Sequence, residues 1–285
     1  MEEPKRIQYS SDNPVLNNPY LEPKFHYDTD VDGNVDYSTI INGRRPYGYD
    51  ISIVPQKAKL VKALFTQEDF SSTNPNSDFI NGIRKEVKTW RTAGYPKASR
   101  ITKELLDFWF SSSQRLPQQR LFFCQQEAVE TAVWLNEIAD KDANMGNFYL
   151  RELQDRRHTV SNDDDDILPR TAFKMATGTG KTVVMAMLIL YHYLNKKANP
   201  MDTRYADHFL VCAPGITIRD RLGVLHLDNS QRSNNYDRSD YYHQRGLIPM
   251  QFEKELGGLN SCITIINYQQ FLRRTFSGKH ASPLD

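Results

Sequence analysis

The stretch Met175-Ala176-Thr177-Gly178-Thr179-Gly180-Lys181-Thr182 constrains this chain more than any other. Two glycines one residue apart let the backbone enter the left-handed region, so that successive N–H groups turn inward around an anion. The apolar run that follows reads as a helix over Lys181–Leu194, whose N-terminus adds partial positive charge at the same place. The residues ahead, Thr171–Met175, read as a short strand. Strand, glycine turn and helix together predict a phosphate cradle. Its backbone comes from Ala176, Thr177, Gly178, Thr179 and Gly180, Lys181 brings a full charge to the β- and γ-phosphates, and the Thr182 hydroxyl can ligate Mg2+. The bland reading is a Gly-Thr-rich turn with no ligand, and the flanking strand and apolar helix weigh against it.

Length and charge bound the rest. With 285 residues there is room for one large domain, or for one domain with an extension. Thirty-six basic residues against 35 acidic leave a net charge of +1, so any surface for nucleic acid must be a local one. The three cysteines, Cys124, Cys212 and Cys262, are far apart and form no metal-ligand pair or disulfide framework. Met1-Glu2-Glu3-Pro4 is not the start of a signal peptide, and the longest apolar run, Val183 to Tyr191, is well short of the ~20 residues that span a bilayer. A cytoplasmic protein without membrane contact is expected.

The first 50 residues are rich in Asn, Asp, Pro and Tyr. Phe25–Thr29 and Val35–Ile41 flank Asp32-Gly33 and predict a β-hairpin. Asp28, Asp30, Asp32, Gly33 and Asp36 imitate a calcium loop. Thr39 stands where the bidentate Glu belongs, and Pro23 and Gly43–Pro46 leave no room for flanking helices, so the hairpin is preferred. Helices are predicted over Asp78–Ala93, with Phe79, Ile80, Ile83, Val87 and Trp90 on one face, over Ile101–Phe110, and over Gln125–Ile138. The charges Arg84, Lys85, Lys88 and Arg91 read as a solvated helix face. Between Asp140 and Arg170 the chain is polar, and Asp163–Asp166 favours a loop by mutual repulsion.

After the glycine turn the rhythm is that of an α/β layer, with strands over His208–Ala213 and Cys262–Asn267. Three further sites follow from residue chemistry. Gln125 can pair its amide with N6 and N7 of adenine, or it is an ordinary polar residue of a first helical turn. Pro214, Gly215, Thr217 and Arg219 follow one strand and offer N–H groups, a hydroxyl and a guanidinium to a phosphate backbone. Asn267 and Tyr268 follow the other strand, at the carboxyl end where α/β sheets place ligands.

The chain resembles the N-terminal part of the restriction (Res) subunit of type III-like restriction endonucleases, within the DEAD/DEAH-box helicase superfamily. The resemblance rests on Asn17–Pro23, Gly43–Pro46, Trp90-Arg91, Phe122–Thr131, Met175–Thr182, Ala213–Leu222 and Ile265–Phe271. The general phosphate-loop pattern has a glycine where Met175 stands; the variant A-x-x-G-x-G-K-T found here is the one superfamily-two helicases use. The resemblance implies a RecA-like lobe with a mostly parallel sheet flanked by helices, over residues 116–285, behind an accessory region of hairpin and helices over 1–115. It implies ATP-driven movement on double-stranded DNA, a nuclease domain and a methyltransferase partner. Gln125 would match the adenine-reading glutamine, Thr177–Thr182 motif I, Ala213–Leu222 motif Ia and Ile266–Gln269 motif Ib, with Lys181 and Thr182 as the catalytic groups.

Hydrolysis also needs a carboxylate pair on a later strand and an arginine at the transition state. No Asp-Glu dipeptide occurs in the chain. The expectation is a fragment whose first lobe stops before the DEAH-type motif, which binds ATP weakly and hydrolyses it barely. Two competing readings are the motor lobe of another superfamily-two DNA or RNA helicase, and a non-catalytic nucleotide- or DNA-binding module.

Overall fold

A computed structural model describes residues 16–29, 35–47, 75–111, 115–141, 145–160, 171–230 and 238–271. In chain order the elements begin with β1 (Phe25–Thr29), β2 (Val35–Asn42), α1 (Pro75–Thr92), α2 (Arg100–Phe110), α3 (Phe123–Val133) and α4 (Met145–Val160). They continue with α5 (Lys181–Ala198), β3 (Phe209–Ala213), α6 (Ile216–Arg221), α7 (Tyr241–Gln244), α8 (Leu259–Cys262) and β4 (Ile263–Asn267). The chain divides into two compact units, Met1–Ala98 with Arg120–Thr179, and Ser99–Gln119 with Gly180–Asp285.

In the first unit β1 and β2 form the expected antiparallel hairpin, from Phe25 opposite Asn42 to Thr29 opposite Val35. The register shifts between Tyr27 and Asp28, a local bulge. Asp30, Asp32 and Gly33 of the calcium-like pattern lie outside the described residues. Asn17 ties the entering segment to the hairpin: its Oδ1 accepts from the N–H of Lys24 (2.8 Å) and of Phe25 (3.1 Å). Its Nδ2 donates to the Phe25 carbonyl at 2.8 Å.

Helix α1 buries Phe79, Ile83, Val87 and Trp90, the stripe that its spacing predicts. It closes at Gly94 (φ +75°), where the N–H of Gly94 reaches Arg91 O (3.0 Å) and that of Tyr95 reaches Trp90 O (3.1 Å). Glycine suits that left-handed closing position. Helix α3 continues into a wider π turn over Trp134–Ile138 and a short 3-10 turn over Ala139–Lys141.

Two differences from the sequence reading arise in this unit. The polar stretch after Asp140 gives no helical pattern in the sequence, yet α4 occupies Met145–Val160. It is anchored by buried Tyr149, whose ring meets Phe79 at 5.5 Å and Trp134 at 6.2 Å. A polar helix docked through an aromatic such as Tyr149 carries little periodic signal. Asp163–Asp166 lies outside the described residues. The strand expected over Thr171–Met175 is absent: those residues carry no regular structure, and Thr171, Ala172, Phe173 and Lys174 are exposed. A strand exists only where a neighbour completes its ladder, and no described strand pairs there.

In the second unit α2 packs on α5. Leu105, Leu106, Met187, Leu190 and Leu194 are fully buried, and each such side chain contributes about 1.5–3 kcal/mol. A polar knot crosses the same interface. Ser99 Oγ donates to Asn195 Oδ1 (2.5 Å), and Asn195 Nδ2 donates to Thr102 Oγ1 (3.0 Å) and to Tyr191 O (2.9 Å). Ser99 also caps α2 by accepting from Thr102 N at 3.0 Å. Trp109 Nε1 donates to Leu247 O at 2.8 Å, fixing the far end of α2.

The strands β3 and β4 are parallel and in register, from Phe209 opposite Ile263 to Ala213 opposite Asn267. Val211, Ala213 and Ile263 are buried, while Leu210 is 60% exposed. The mixed α/β class expected from the sequence is therefore present in this unit as a small parallel sheet with helices. No helix among the described residues is long and apolar enough to cross a membrane.

Candidate functional site

The glycine turn takes the backbone form that its sequence predicts. Gly178 has φ +81° and Gly180 φ +79°, both in the left-handed region. A Cβ on Gly178 would meet nothing within 4 Å, so the backbone angle, and not crowding, makes glycine the fitting residue. Within the first unit, Thr179 closes the turn on Ala176: its Oγ1 donates to Ala176 O at 2.7 Å and its N–H lies 3.5 Å from the same oxygen. Ala176, Thr177 and Gly178 are exposed.

Gly180 is the N-cap of α5, and its carbonyl accepts from the N–H of Val183 (2.9 Å) and of Val184 (3.2 Å). The helix ladder therefore starts at Gly180, and the amides of the residues just before Val183 stand at the positive end of an 18-residue helix. Lys181 is exposed at that end and Thr182 half-buried. The interior face behind them, Val183, Val184, Ala186, Met187, Ile189 and Leu190, is buried and holds the helix start in place. Within the second unit, an exposed ammonium and a hydroxyl thus stand in the first turn of a long helix, where partial positive charge favours an anion.

Gln125 sits in the first turn of α3 and is 4% exposed. Its Oε1 accepts from Phe122 N at 2.8 Å, half of a capping box. Its Nε2 donates to the carbonyl of Thr179 at 3.0 Å, so this side chain is brought directly to the glycine turn. An amide carries two acceptor lone pairs and two N–H donors, which leaves one of each beyond these two bonds. The helix start is held from the other side by the Asn17–Pro23 segment, where Phe123 N donates to Pro19 O at 2.9 Å. The Tyr20 and Phe122 rings meet at 5.3 Å.

The residues expected to touch DNA gather at one end of the small parallel sheet. Because Ala213 stands opposite Asn267, the chain leaves β3 through Pro214 and Gly215 beside the point where it leaves β4 through Tyr268. Pro214 and Thr217 are exposed, Tyr268 is 44% exposed, and Asn267 is buried with its Oδ1 accepting from Gln269 N at 3.2 Å. Arg219 is paired along the chain with Asp220, at 2.8 Å from Nη2 to Oδ1.

Several residues that organise these regions left little trace in the sequence. Glu130 is fully buried and accepts from Arg91 (Nε, 2.7 Å), Tyr95 OH (2.7 Å) and Gln126 Nε2 (2.8 Å). Burial alone pulls the Arg91 guanidinium down, but the Glu130 carboxylate overrides it and holds the cation above its ordinary value. Burial and the same carboxylate push the Tyr95 phenol up. Glu127 receives Arg44 in a two-pronged pair. In the second unit the buried Asp240 accepts from His243 N (2.9 Å), from Asp228 N (3.0 Å) and, at 2.8 Å, from the His243 imidazole. Burial raises that carboxyl, yet the His243 and Asp228 bonds hold it below the usual range. Both imidazole nitrogens are engaged, the second by Arg238 at 2.9 Å, so the cluster ties one loop together. A helix N-cap Asp followed three residues later by His was the sequence signal for it.

Comparison with known families points to a helicase-like ATP-binding motor domain. A family model described as "Type III restriction enzyme, res subunit" matches residues 118–282, more than half of the chain, and the chain belongs to that family. The match covers the glycine turn, Gln125, and both strand-end segments. Neither curated proteins nor solved structures give a match.

Proposed function

We propose that this chain is the ATP-binding lobe of a DNA-translocating restriction subunit, RecA-like over residues 116–285, with residues 1–115 as an accessory region. In this reading the backbone of Ala176, Thr177, Gly178, Thr179 and Gly180 surrounds the phosphates of ATP. Lys181 places its ammonium on the β- and γ-phosphates. The Thr182 hydroxyl would hold Mg2+, which supplies charge neutralisation on the same phosphates when bound. Gln125 offers its remaining acceptor and donor to adenine N6 and N7. Pro214, Gly215, Thr217, Arg219, Asn267 and Tyr268 meet the phosphate backbone of double-stranded DNA, for which Arg219 exchanges Asp220 for a phosphate. A methyltransferase subunit is the partner that the family membership implies, and the cytoplasm the compartment.

The observation that carries this reading is the hydrogen bond from Gln125 to Thr179 at the turn that opens α5. It joins the residue suited to a base to the loop suited to phosphates. Calorimetry with MgATP tests it. The chain takes up the nucleotide, and Lys181→Ala abolishes uptake in a variant that still unfolds cooperatively on heating. Equal uptake by wild type and Lys181→Ala would remove the reading. Steady turnover is expected to be slow, because the chain contains no Asp-Glu pair to orient a water.

A further inference from the structure

One stripe of α3 is held in an unusual way. Phe123, Glu127 and Glu130 stand at i, i+4 and i+7, on one face of the helix. The Phe123 ring has two guanidiniums near it, Arg44 at 5.5 Å and Arg91 at 5.2 Å. Each of those guanidiniums also binds a carboxylate farther along the stripe. Arg44 takes Glu127 with both prongs, one of them at 2.5 Å, and Arg91 takes Glu130 through Nε at 2.7 Å and Nη2 at 2.5 Å. Two arginines from distant parts of the chain thus grip one side of one helix.

Neither arginine is loosely placed. Arg44 follows Gly43, whose φ of +101° is left-handed, whose N–H donates to Lys24 O at 2.6 Å, and whose carbonyl lies 2.9 Å from His26 Nδ1. Arg91 occupies the last turn of α1, beside buried Trp90. The grip also concentrates positive charge: Arg84 stands 4.0 Å from Glu127, and burial together with Arg44 lowers its guanidinium. Plain helix packing gains as much stability from apolar contacts, whereas paired charges specify one arrangement. What they specify here is the roll of α3 about its axis.

That roll decides where Gln125 points. At about 100° per residue, Gln125 lies on the side of α3 away from the Phe123–Glu127 stripe. With the stripe seated, its amide lies 3.0 Å from the Thr179 carbonyl. We infer that Arg44 and Arg91 are positioning residues for nucleotide-base selection, acting through Phe123, Glu127 and Glu130 on the orientation of the Gln125 amide. The inference rests on the proposed reading of Gln125 as the group that meets adenine.

The test measures binding of MgATP and MgGTP to the whole chain by calorimetry, and takes the ratio of the two affinities. Gln125→Ala is the reference and is expected to lower the ATP-over-GTP ratio by about tenfold, the worth of a bidentate base contact. Arg44→Ala and Glu127→Gln are expected to lose most of that ratio, with the charge-swapped pair Arg44→Glu/Glu127→Arg regaining part of it. Arg91→Ala is expected to lose it as well. A merely structural role would weaken both nucleotides equally and leave the ratio alone. Should Arg44→Ala fail to fold, Glu127→Gln, which keeps the side chain's shape, decides the matter.

An unchanged ratio in folded Glu127→Gln, beside a collapsed ratio in Gln125→Ala, overturns the positioning role and leaves the base contact standing. An unchanged ratio in Gln125→Ala, or no preference for ATP in the wild type, removes the base contact and the positioning role with it.

Discussion

The Gln125 side chain donates to the main-chain carbonyl of Thr179 at 3.0 Å and accepts from the amide of Phe122 at 2.8 Å, joining a helix start to a glycine turn 54 residues away. A carboxylate at this position would keep the bond to Phe122 but face the Thr179 carbonyl without a proton. Gln125→Glu is therefore expected to lower unfolding free energy by about 1–3 kcal/mol at neutral pH. The deficit against wild type should shrink as acid protonates the new carboxyl and restores a donor. Urea titrations of both proteins at several pH values measure it, and a deficit that does not vary with pH would contradict the assigned contact.

Glu130 is the acceptor that satisfies Arg91, Tyr95 and Gln126 at once, and it is fully buried. Removing it strands a desolvated guanidinium. Glu130→Ala is expected to cost about 3–5 kcal/mol, and restoring neutrality with Arg91→Met in the same chain to recover part of that loss. Chemical denaturation of the two single variants and the double variant gives the coupling directly.

His192 lies in α5 with its Nδ1 buried and without a hydrogen-bond partner, and burial pushes the imidazole down to about 4. Its unfolded value is ~6.5, so the unfolded chain binds a proton over that interval and the folded chain does not. The stability this difference brings is complete above the unfolded value and falls away as pH drops towards the folded one. Between about pH 6.5 and 4 the loss should be on the order of 1–3 kcal/mol. His192→Phe should flatten that part of the pH profile of the melting temperature, and an unaltered profile would show that another group sets it.

Arg219 lies in α6, the helix that follows β3, and its guanidinium is paired with the exposed Asp220. If it moves to a DNA phosphate, Arg219→Ala weakens binding to duplexes of every sequence alike. The slope of log affinity against log salt should fall by about one. Fluorescence anisotropy with two unrelated duplexes over a salt series checks both points, and a loss confined to one duplex would assign Arg219 to base reading instead.

What the sequence made legible here follows from how locally each feature is determined. Gly178 and Gly180 declare a left-handed turn whatever surrounds them, so the turn and the start of α5 could be placed to the residue. The runs Phe209–Ala213 and Ile263–Asn267 are apolar and end at Pro-Gly and at Asn, which is enough to mark strands but not to show which strand they meet. Thr171–Met175 has the same local appearance and no partner among the described strands, so propensity alone misled. The Arg44–Glu127 and Arg91–Glu130 pairs join residues 83 and 39 positions apart, and nothing in either neighbourhood announces the other. The chemistry of Gln125 singles it out in the sequence, while its bond to Thr179 required the fold. Helix α4 has a polar sequence with little periodicity, and the packing of its buried Tyr149 on Phe79 and Trp134 is not announced by any local pattern.

The knot of Ser99, Thr102 and Asn195 has a mechanical meaning for the far end of its helix. Asn195 stands fourteen residues along α5 from Lys181, about 21 Å at the rise of an α-helix. Sliding α5 along α2 by one turn would break the two bonds that cross between the helices, Ser99 to Asn195 and Asn195 to Thr102, inside an apolar layer. A tug on the ammonium of Lys181 therefore finds no slack in α5, and either α2 travels with it as one stiff rod or the Asn195 bonds give way.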